Sequence, residues 1–564
     1  MSELADTQPL TIQRVLLWTF FVVIFVSLLE TGLHKLIHLC KDHRKYNEML
    51  NKVTGELMVV GFIYLIVKLV CYFNVIQYGG VQYYSLDAAD MLLFFVVLAL
   101  VVQSLIVFAR LRFSNAKIDD IMISEASALV QMAEAENEKI KNYSWFTRMR
   151  SNYYMHNLLE HKLLELYFRD ARGLPTMFTF AKYIREIQDC QIVDLIEIDI
   201  LGYSLLLLLL AAFFACTGEL QAHSLYRSSY DITSSLYQIS SQMDDKRKWV
   251  FKFFAWSLTG AMVLMAIYLK VLIYAVINQA KNHFLIENGE FESKYEELVE
   301  ALKRAGAKEE IEGKISTEEA LKIMNDVSEE IRGSIKKRKG YFKHNLVVQM
   351  LQSIYRKLTQ KNKSPLNSPL NNLNPSIKIP FSRKFVEFCV RTFLIVNGLY
   401  YSMLIACIVP TLSNHELQFL TLLLIPLLLN TFWLAPLLVH KFSLLNGTLK
   451  VDPTRLCAVI DHIREVEELN VKMVKQVCKH LQETGKSLND MRDEMTKDAT
   501  DGYIDSEALR LILNRFGFKL SRHKFHTLIY LKYQTRGITV KFDDVLTAFL
   551  PHRGTVLASH HSLL

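Results

Sequence analysis

The sequence predicts an all-α protein, a seven-helix transmembrane bundle with helical cytoplasmic loops and a small C-terminal domain. Three observations support this fold class. Of the 564 residues, 51% are hydrophobic although 22% are charged, which implies that apolar spans alternate with charged segments. Seven apolar runs approach the ~20 residues that a helix needs to cross hydrocarbon. The Lys and Arg residues between these runs concentrate on one predicted side of the membrane.

The seven predicted spans and the connections between them give the domain organisation. The spans are residues 14–30, 56–76, 87–109, 197–216, 250–276, 385–410 and 416–440. Loop 31–55 is basic, loop 77–86 has neither Lys nor Arg, and the tail after His440 has many. The positive-inside rule therefore predicts residues 1–13 outside and the C-terminus in the cytoplasm. Segments 110–196 and 277–384 are then the two large cytoplasmic segments, and the largely neutral loop 217–249 lies outside.

Catalytic and metal-binding patterns are not found in the sequence. No nucleophile elbow, zinc-binding His pair or phosphate-binding Gly loop is present, so we expect no enzyme activity. The eight cysteines form no CxxC pair, which argues against a structural metal site. The net charge of +8 is modest and is not concentrated in a compact basic domain with interleaved aromatic residues, so we expect no nucleic-acid partner. The lipid bilayer is the predicted partner.

Charged and amide side chains within or beside the spans are the candidate pore residues. A charge in hydrocarbon costs about 2.5–3.5 kcal/mol even on lenient scales, so such residues usually face protein, water or an interface. The acids Glu30, Glu56, Glu197 and Asp199 are predicted at the cytosolic ends of spans, whereas Lys68, Lys270, Arg391 and Asn397 lie within or near spans. Together they predict an acidic inner mouth. The alternative is ordinary solvation of helix ends and hydrogen bonding between helices.

A basic amphipathic stretch at residues 335–360 is the candidate site for calmodulin or lipid. The apolar residues Phe342, Leu346 and Leu351 lie on one side of the predicted helix. The cations around them include Lys336, Lys337, Arg338 and Lys339. Such a helix suits the apolar groove of calmodulin or an anionic inner leaflet. Alternatively, it is a solvated helix that covers the cytosolic mouth of the bundle.

Two segments have the spacing of EF-hand calcium loops in degenerate form. In residues 308–319, Glu310, Glu312 and Glu319 take the third, fifth and twelfth places, but Lys308 occupies the first, where a carboxylate is expected. The alternative for this segment is a helical hairpin with a Gly turn.

The C-terminal residues 486–564 are predicted to form an EF-hand-like module after a cytoplasmic helix within 441–485, which begins at Pro453 and ends near Thr484. Asp501 and Asp505 are possible ligands, and Ile504 takes the eighth place, but Ala508 replaces the bidentate Glu at the twelfth. We therefore expect this module to serve packing or protein contacts. Calcium, as a permeant or regulatory ion, is the one candidate cofactor.

Three sets of residues resemble the MLO family of seven-span plant membrane proteins. They are Gly32, His34 and Lys35 in SLLETGLHKL, Gly61 in ELMVVGFI, and Phe178, Phe180 and Tyr183 in the pattern FxFxxYI. The resemblance implies a plasma-membrane protein with an outside N-terminus, calmodulin binding, roles in defence and cell-surface signalling, and calcium-permeable channel activity. Loop 77–86 lacks the cysteine of the family, and the tail lacks its tryptophan-containing basic helix, so the resemblance is to a divergent member.

Two hypotheses about function follow. The first is a calcium-permeable channel or calcium-signalling modulator that is regulated by its cytosolic helices. The second is a non-conducting scaffold or receptor-like protein that recruits calmodulin or trafficking partners. A continuous polar lining through the bundle would favour the first, and a bundle sealed by Leu and Phe would favour the second. The sequence leaves a homo-oligomer open in either case.

Overall fold

A computed structural model describes most of the chain. The described residues are 12–40, 44–76, 81–122, 126–140, 145–196, 200–218, 241–285, 293–312, 317–336, 383–409, 417–449, 453–533, 535–536 and 539–549. These residues form α-helices, two short π-helices and four strands of two or three residues. The predicted all-α class is therefore confirmed for the described residues, apart from the short strands near the C-terminus.

Ten helices precede residue 340. They are α1 (Ile12–Cys40), α2 (Arg44–Tyr72), α3 (Val81–Met122), α4 (Ala126–Ile140), α5 (Trp145–Arg172), α6 (Phe180–Ile196), α7 (Ile200–Thr217), α8 (Ser241–Phe284), α9 (Lys294–Glu312) and α10 (Thr317–Lys336). Helix α5 ends where Gly173 takes a positive φ of 60° and the Leu174 amide donates to the Arg169 carbonyl. This is a Schellman cap, and only a residue without a Cβ adopts its backbone cheaply.

The later helices include two π-helical turns. Helix α11 (Arg383–Met403) continues into a π-helix at Leu404–Ile408, and α12 (Leu417–Leu429) continues through a π-helix at Asn430–Leu434 into α13 (Ala435–Leu449). The C-terminal elements are α14 (Pro453–Thr484), α15 (Leu488–Lys497), β1 (Ala499–Thr500), β2 (Tyr503–Asp505), α16 (Ser506–Arg515), α17 (Arg522–Lys532), β3 (Thr535–Arg536), β4 (Thr539–Lys541) and α18 (Phe542–Thr547). The predicted helix from Pro453 to Thr484 is confirmed.

Five segments are long and apolar enough to cross a membrane. They are Asn47–Tyr72, Ser85–Asn115, Lys246–Phe284, Arg383–Ala406 and Leu420–Leu449. Two further apolar helices, Thr19–Gly32 and Gly202–Thr217, are shorter. These lengths and compositions indicate an integral membrane protein. The number of seven spans and the direction in which the chain crosses the membrane stay predictions.

Several predicted boundaries differ from the helices in the structure. The basic loop predicted at 31–55 is mostly helical, because α1 continues to Cys40 and α2 begins at Arg44. The last span was predicted to end at residue 440, yet α13 continues to Leu449 with Phe442, Leu444 and Leu445 buried. Hydropathy detects only the apolar part of a helix, so a helix that continues into protein contacts is longer than the sequence predicts.

The chain divides into two compact units. The first comprises residues 1–105, 192–256 and 394–427, and a close contact between α3 and α11 holds part of it together. A Cβ built at Gly398 would lie 3.0 Å from a methyl carbon of Leu100, so the absent side chain lets the two helices approach. The Ser402 hydroxyl donates to the Leu92 carbonyl at 2.8 Å across the same contact.

The second unit comprises residues 106–191, 257–393 and 428–564, and α6 packs tightly on α13 within it. A Cβ at Gly447 would lie 2.5 Å from Cδ1 of Ile184 and 2.9 Å from Cδ1 of Ile187. Beside this contact Phe168, Phe178, Phe180 and Tyr183 form a fully buried aromatic cluster with ring centroids 5.1–6.4 Å apart. Aromatic pairs at these separations stabilise a core beyond the area that they bury.

The C-terminal elements of the second unit form two helix–strand–helix units joined by a small antiparallel sheet in the order β1-β2-β4-β3. Ile504 of β2 pairs with Val540 of β4, and both are fully buried. Ile504, the predicted eighth-place residue of the first unit, therefore lies opposite a buried strand residue of the second unit. This arrangement agrees with the paired module predicted from the sequence, while its membership of the EF-hand family stays a prediction.

Replacing Gly447 by Ala should destabilise the second unit. The new Cβ would overlap Ile184 and Ile187, and overpacking of this kind costs about 1–3 kcal/mol. Thermal unfolding of the full chain in detergent measures the effect. Gly260→Ala in α8 is the matched control, because a Cβ there meets no atom within 4 Å. Equal unfolding temperatures for the two variants would contradict the close approach of α6 to α13.

Candidate functional site

Two polar contacts lie among the candidate spans of the first unit. Lys68 of α2 donates a hydrogen bond to the Tyr83 hydroxyl, and its ammonium lies 5.1 Å from the ring centroid of Tyr64 and 4.9 Å from that of Tyr83. These cation–π contacts and the phenolic oxygen compensate for the loss of water around the ammonium. We expected Lys68 to pair with acids or reach an interface; the structure adds these tyrosine partners.

The second contact joins α3 and α11 through two buried amides. The Asn397 Nδ2 group donates to Gln103 Oε1 at 2.9 Å, and Gln103 Nε2 donates to the Leu394 carbonyl at 3.4 Å. Asn397 is fully buried and Gln103 is 3% exposed. Amide pairs of this kind hold membrane helices together because an unpaired amide in hydrocarbon is costly. Asn397 therefore occupies a contact between helices, which is the alternative that the sequence left open.

The other candidate pore residues are not brought together by the described part of the structure. Glu30 lies exposed on α1, and Glu56 lies half-buried on α2. Lys270 is exposed on α8 and Arg391 is half-buried on α11. Glu197 and Asp199 lie outside the described residues. The acidic inner mouth stays a prediction.

A chain of polar contacts in the second unit joins α3, α6, α13 and α5. The Asn115 Nδ2 group donates to Gln188 Oε1 at 2.5 Å, and Gln188 Nε2 donates to Nδ1 of His440 at 3.0 Å. The His440 ring stacks on the His161 ring with centroids 5.9 Å apart and an angle of 24° between planes. His161 Nδ1 in turn donates to the Asn157 carbonyl at 2.7 Å. The two imidazoles are called the histidine pair below.

The hydrogen bonds of the histidine pair assign both rings to neutral tautomers. His161 carries its hydrogen on Nδ1, because a carbonyl accepts it, and its buried Nε2 has no hydrogen-bond partner among the described residues. His440 accepts at Nδ1 from Gln188, so its hydrogen is on Nε2. Burial lowers the pKa of His161, although the Asn157 carbonyl and Glu160 oppose this shift. Protonation of His440 at Nδ1 would break its hydrogen bond with Gln188, and protonation of His161 at Nε2 would bury a charged donor that has no partner among the described residues. We therefore expect the pair to be sensitive to pH.

The residues that carry the family resemblance fall into an exposed and a buried group. Gly32, His34 and Lys35 lie exposed on α1, and Gly61 lies exposed on α2. Phe178, Phe180 and Tyr183 belong to the buried aromatic cluster, where they hold α6 against α5 and α13. The structure therefore gives the FxFxxYI pattern a packing role.

The segment predicted as a degenerate calcium loop at 308–319 is largely helical. Lys308, Glu310 and Glu312 belong to α9, and Glu319 lies exposed on α10, which leaves only 313–316 between the helices. This is a correction to the predicted loop, since an EF-hand needs a non-helical turn at its first places. It agrees with the helical hairpin that the sequence offered as the alternative. Among the described residues, no three His, Cys, Asp or Glu side chains cluster as a metal site would require.

Lys308 instead belongs to an ion cluster with Asp170 of α5 and His283 of α8. Its ammonium donates to Oδ1 of Asp170, and the other carboxylate oxygen lies 2.7 Å from Nε2 of His283. Burial raises the pKa of Asp170, but its hydrogen bonds with Lys308 and His283 lower that pKa by more. The cluster ties three helices of the second unit together.

In the C-terminal module, the two candidate metal ligands have different structural roles. Asp501 is exposed and has a positive φ of 54°. Asp505 is the N-cap of α16, where its carboxylate accepts from the backbone amides of Glu507 at 3.2 Å and Ala508 at 3.3 Å. A capping carboxylate stabilises the helix without a metal.

Most of the candidate segment for calmodulin or lipid lies outside the described residues. Lys336 is the last residue of α10, and the residues outside the description are Lys337, Arg338, Lys339, Phe342, Leu346 and Leu351.

Sequence reasoning missed the histidine pair and one acid. His161, Gln188 and His440 are far apart in the chain, so no local spacing indicates their contact. The pair Asp87 and Asp90 at the start of the third span was visible in the sequence, and one carboxylate oxygen of Asp90 is buried without a hydrogen-bond partner in the described structure. Acids therefore also occur at the end of α3 that was predicted to lie outside.

Comparison with known proteins gives no relative from which to infer function. A scan against protein-family models, a search of curated proteins and a search of solved structures each give no match to this chain. The resemblance to the MLO family rests on the motif residues named above, and it stays a proposal.

The histidine pair should make stability depend on pH. Because burial lowers the pKa of His161 in the folded state, the unfolded chain binds the proton more readily. Stability is therefore full above the ordinary histidine pKa of 6.5 and is lost as the pH falls from there through the lower folded-state pKa. Thermal unfolding in detergent between pH 7.5 and 5 should show this loss, and His161→Gln should flatten it.

The matched control for this prediction is His156→Gln, on the same helix. His156 is 38% exposed at its side chain and lies 3.1 Å from Glu160, so its replacement removes an imidazole without touching the stacked rings. This variant should keep the pH dependence of the wild type. An unchanged pH profile in His161→Gln would show that His161 is not the sensitive group.

The capping role of Asp505 predicts a loss of stability that calcium does not alter. Asp505→Ala removes the acceptor for two amides of α16 and should cost about 0.5–2 kcal/mol in the free energy of unfolding. Thermal unfolding of the full chain with chelator and with calcium should give the same loss. Asp501→Asn, which keeps a residue that tolerates positive φ, is the control. Stabilisation by calcium that disappears in Asp505→Ala would identify Asp505 as a metal ligand instead.

Proposed function

We propose that this chain is an MLO-like plasma-membrane protein, a calcium-permeable channel or calcium-signalling modulator regulated by its cytosolic helices. The observation that supports regulation is a short connection. Helix α13, which contains the last candidate span, ends at Leu449, and α14 begins at Pro453. So few residues leave little freedom for α14 to move without moving the end of α13.

Helix α14 is held along its length by two partners. Its first half packs on α10, where the Ser328 hydroxyl lies 3.1 Å from the Cys457 sulfur. Its second half contributes Met473, Val477 and Leu481 to the hydrophobic core of the C-terminal module. Two polar contacts secure this half, from Lys532 to Glu467 and from the Tyr533 hydroxyl to Asn470, both at 2.7 Å. A partner that changes the module would therefore act on α14 and, through it, on α13.

Disrupting the core between α14 and the module should alter calcium flux. Val477 is fully buried there, so Val477→Asp places a charge in the core and should weaken the packing of α14 on the module. Calcium flux and current are measured in cells at matched surface expression. The control is Val471→Asp, on the same helix, where Val471 is 58% exposed. Flux that is changed by Val477→Asp and not by Val471→Asp supports regulation through α14; equal flux in all three proteins overturns it.

The second candidate function is a non-conducting scaffold that recruits calmodulin or trafficking partners. The amide contact of Asn397 with Gln103 favours it, because these buried polar groups bind each other. The same flux experiment separates the two functions. Absence of current and flux in every variant, at good surface expression, supports the scaffold. Calmodulin captured by the full chain, but not by a variant with Lys336, Lys337, Arg338 and Lys339 changed to Gln, would then identify the recruiting segment.

A further inference from the structure

An exposed aromatic face on the first turns of α5 is left without a function by the proposals above. Trp145, Met149 and Tyr153 are 77%, 63% and 61% exposed. They are spaced four residues apart, so they lie on one side of the helix. Large apolar side chains exposed together usually mark an interaction surface. The three residues are called the aromatic face below.

The aromatic face does not point toward α4, which packs on the same helix. Ser151 lies on the other side of α5, where its hydroxyl donates to Glu136 of α4 at 3.4 Å. Further along α5 the environment changes, because Leu159 and Leu163 are fully buried in the core shared with α4 and α9. The first turns of α5 therefore extend beyond the packed part of this helical assembly.

The charge around the aromatic face has one sign. Residues 139–159 contain Lys139, Lys141, Arg148 and Arg150 and no Asp or Glu. Arg148 is itself exposed beside Met149. Trp and Tyr prefer the interface between water and hydrocarbon, and Lys and Arg near an anionic leaflet add attraction. The composition fits a lipid surface with negative headgroups.

Helix α5 runs beside α13, which belongs to the last candidate span. The His161 ring stacks on His440, and the Arg172 guanidinium donates to the Leu449 carbonyl at 3.4 Å. The two contacts follow the same order along both helices, so α5 runs beside α13 in the same direction. Since α13 lies within the candidate span Leu420–Leu449, the first turns of α5 extend along this span in the direction of the N-terminal end of α13.

We infer that the first turns of α5 dock on the anionic lipid surface of the membrane that the chain spans. The aromatic face enters the headgroup region, and Arg148 contacts negative headgroups. This inference rests on the indication of an integral membrane protein and not on calcium conduction, so the flux experiment and the one below can fail independently.

Quenching of Trp145 fluorescence by brominated lipids tests the docking. The full chain is reconstituted into nanodiscs of phosphatidylcholine, with or without phosphatidylserine, whose acyl chains are brominated close to the headgroup. The difference between the wild type and Trp145→Phe isolates Trp145 from the other four tryptophans. We expect strong quenching of this difference signal in the discs that contain phosphatidylserine and weaker quenching in neutral discs.

Charge variants test the contribution of Arg148. Arg148→Gln and Arg148→Ala should each lower the ratio of quenched to unquenched Trp145 roughly five-fold in anionic discs. Arg304→Gln removes the same charge from an exposed site on α9 and is the control. Equal quenching in neutral and anionic discs, or no effect of the arginine variants, overturns the role of negative headgroups. Trp145 that is quenched by aqueous iodide and not by lipid overturns docking. Trp145 protected from both quenchers shows that protein covers the aromatic face, which also overturns it.

Discussion

Helix α6 lies against α13 because residue 447 has no side chain. The methyl carbons of Ile184 and Ile187 occupy the space that a Cβ would need, so the distance between the helices is set by a single glycine. Other contacts depend on this distance. Ser443 reaches Gln191 across the same helix pair, and Gln188, one turn earlier on α6, reaches His440. A wider separation would break both hydrogen bonds and leave buried polar atoms unpaired, at a cost of about 1–3 kcal/mol each.

Polar groups in three of the candidate spans are satisfied by partners within the protein. Asn397 and Gln103 satisfy each other, and Lys68 finds a phenol and two aromatic rings. Lys68 and Asn397 were candidates for lining a pore, and both are used in contacts between helices. A conducting pathway would therefore need its lining from other groups. Among the candidate acids in the described structure, Glu30 is exposed and Glu56 is half-buried.

Local sequence patterns predicted the features of this structure that depend on neighbouring residues in the chain. Hydropathy located the apolar helices, and Pro453 marked the start of α14 because proline is favoured in the first turn of a helix. The span predicted to end at residue 440 did not include the last turns of α13, which pack on α6 at Gly447. Spacing suggested a calcium loop at 308–319, yet the strong helix formers around Lys308 and Glu310 continue α9. The histidine pair needed tertiary structure, since His161 and His440 meet only after α5 has folded beside α13.

Calcium and the C-terminal module have to be considered separately for this chain. Asp505 is used as a helix cap, Ala508 stands where a bidentate Glu would close a calcium site, and the module already holds α14 through Met473 and Val477. The module thus holds a helix of its own chain through apolar contacts. Under the proposed function, a calcium signal would reach α14 through a partner that binds near α10 or the module, and the short connection after Leu449 would carry it to α13. The same connection makes membrane docking of α5 relevant, because α5 lies beside α13 at His440 and Leu449. Lipid on one side and the module on the other would therefore act on the same helix.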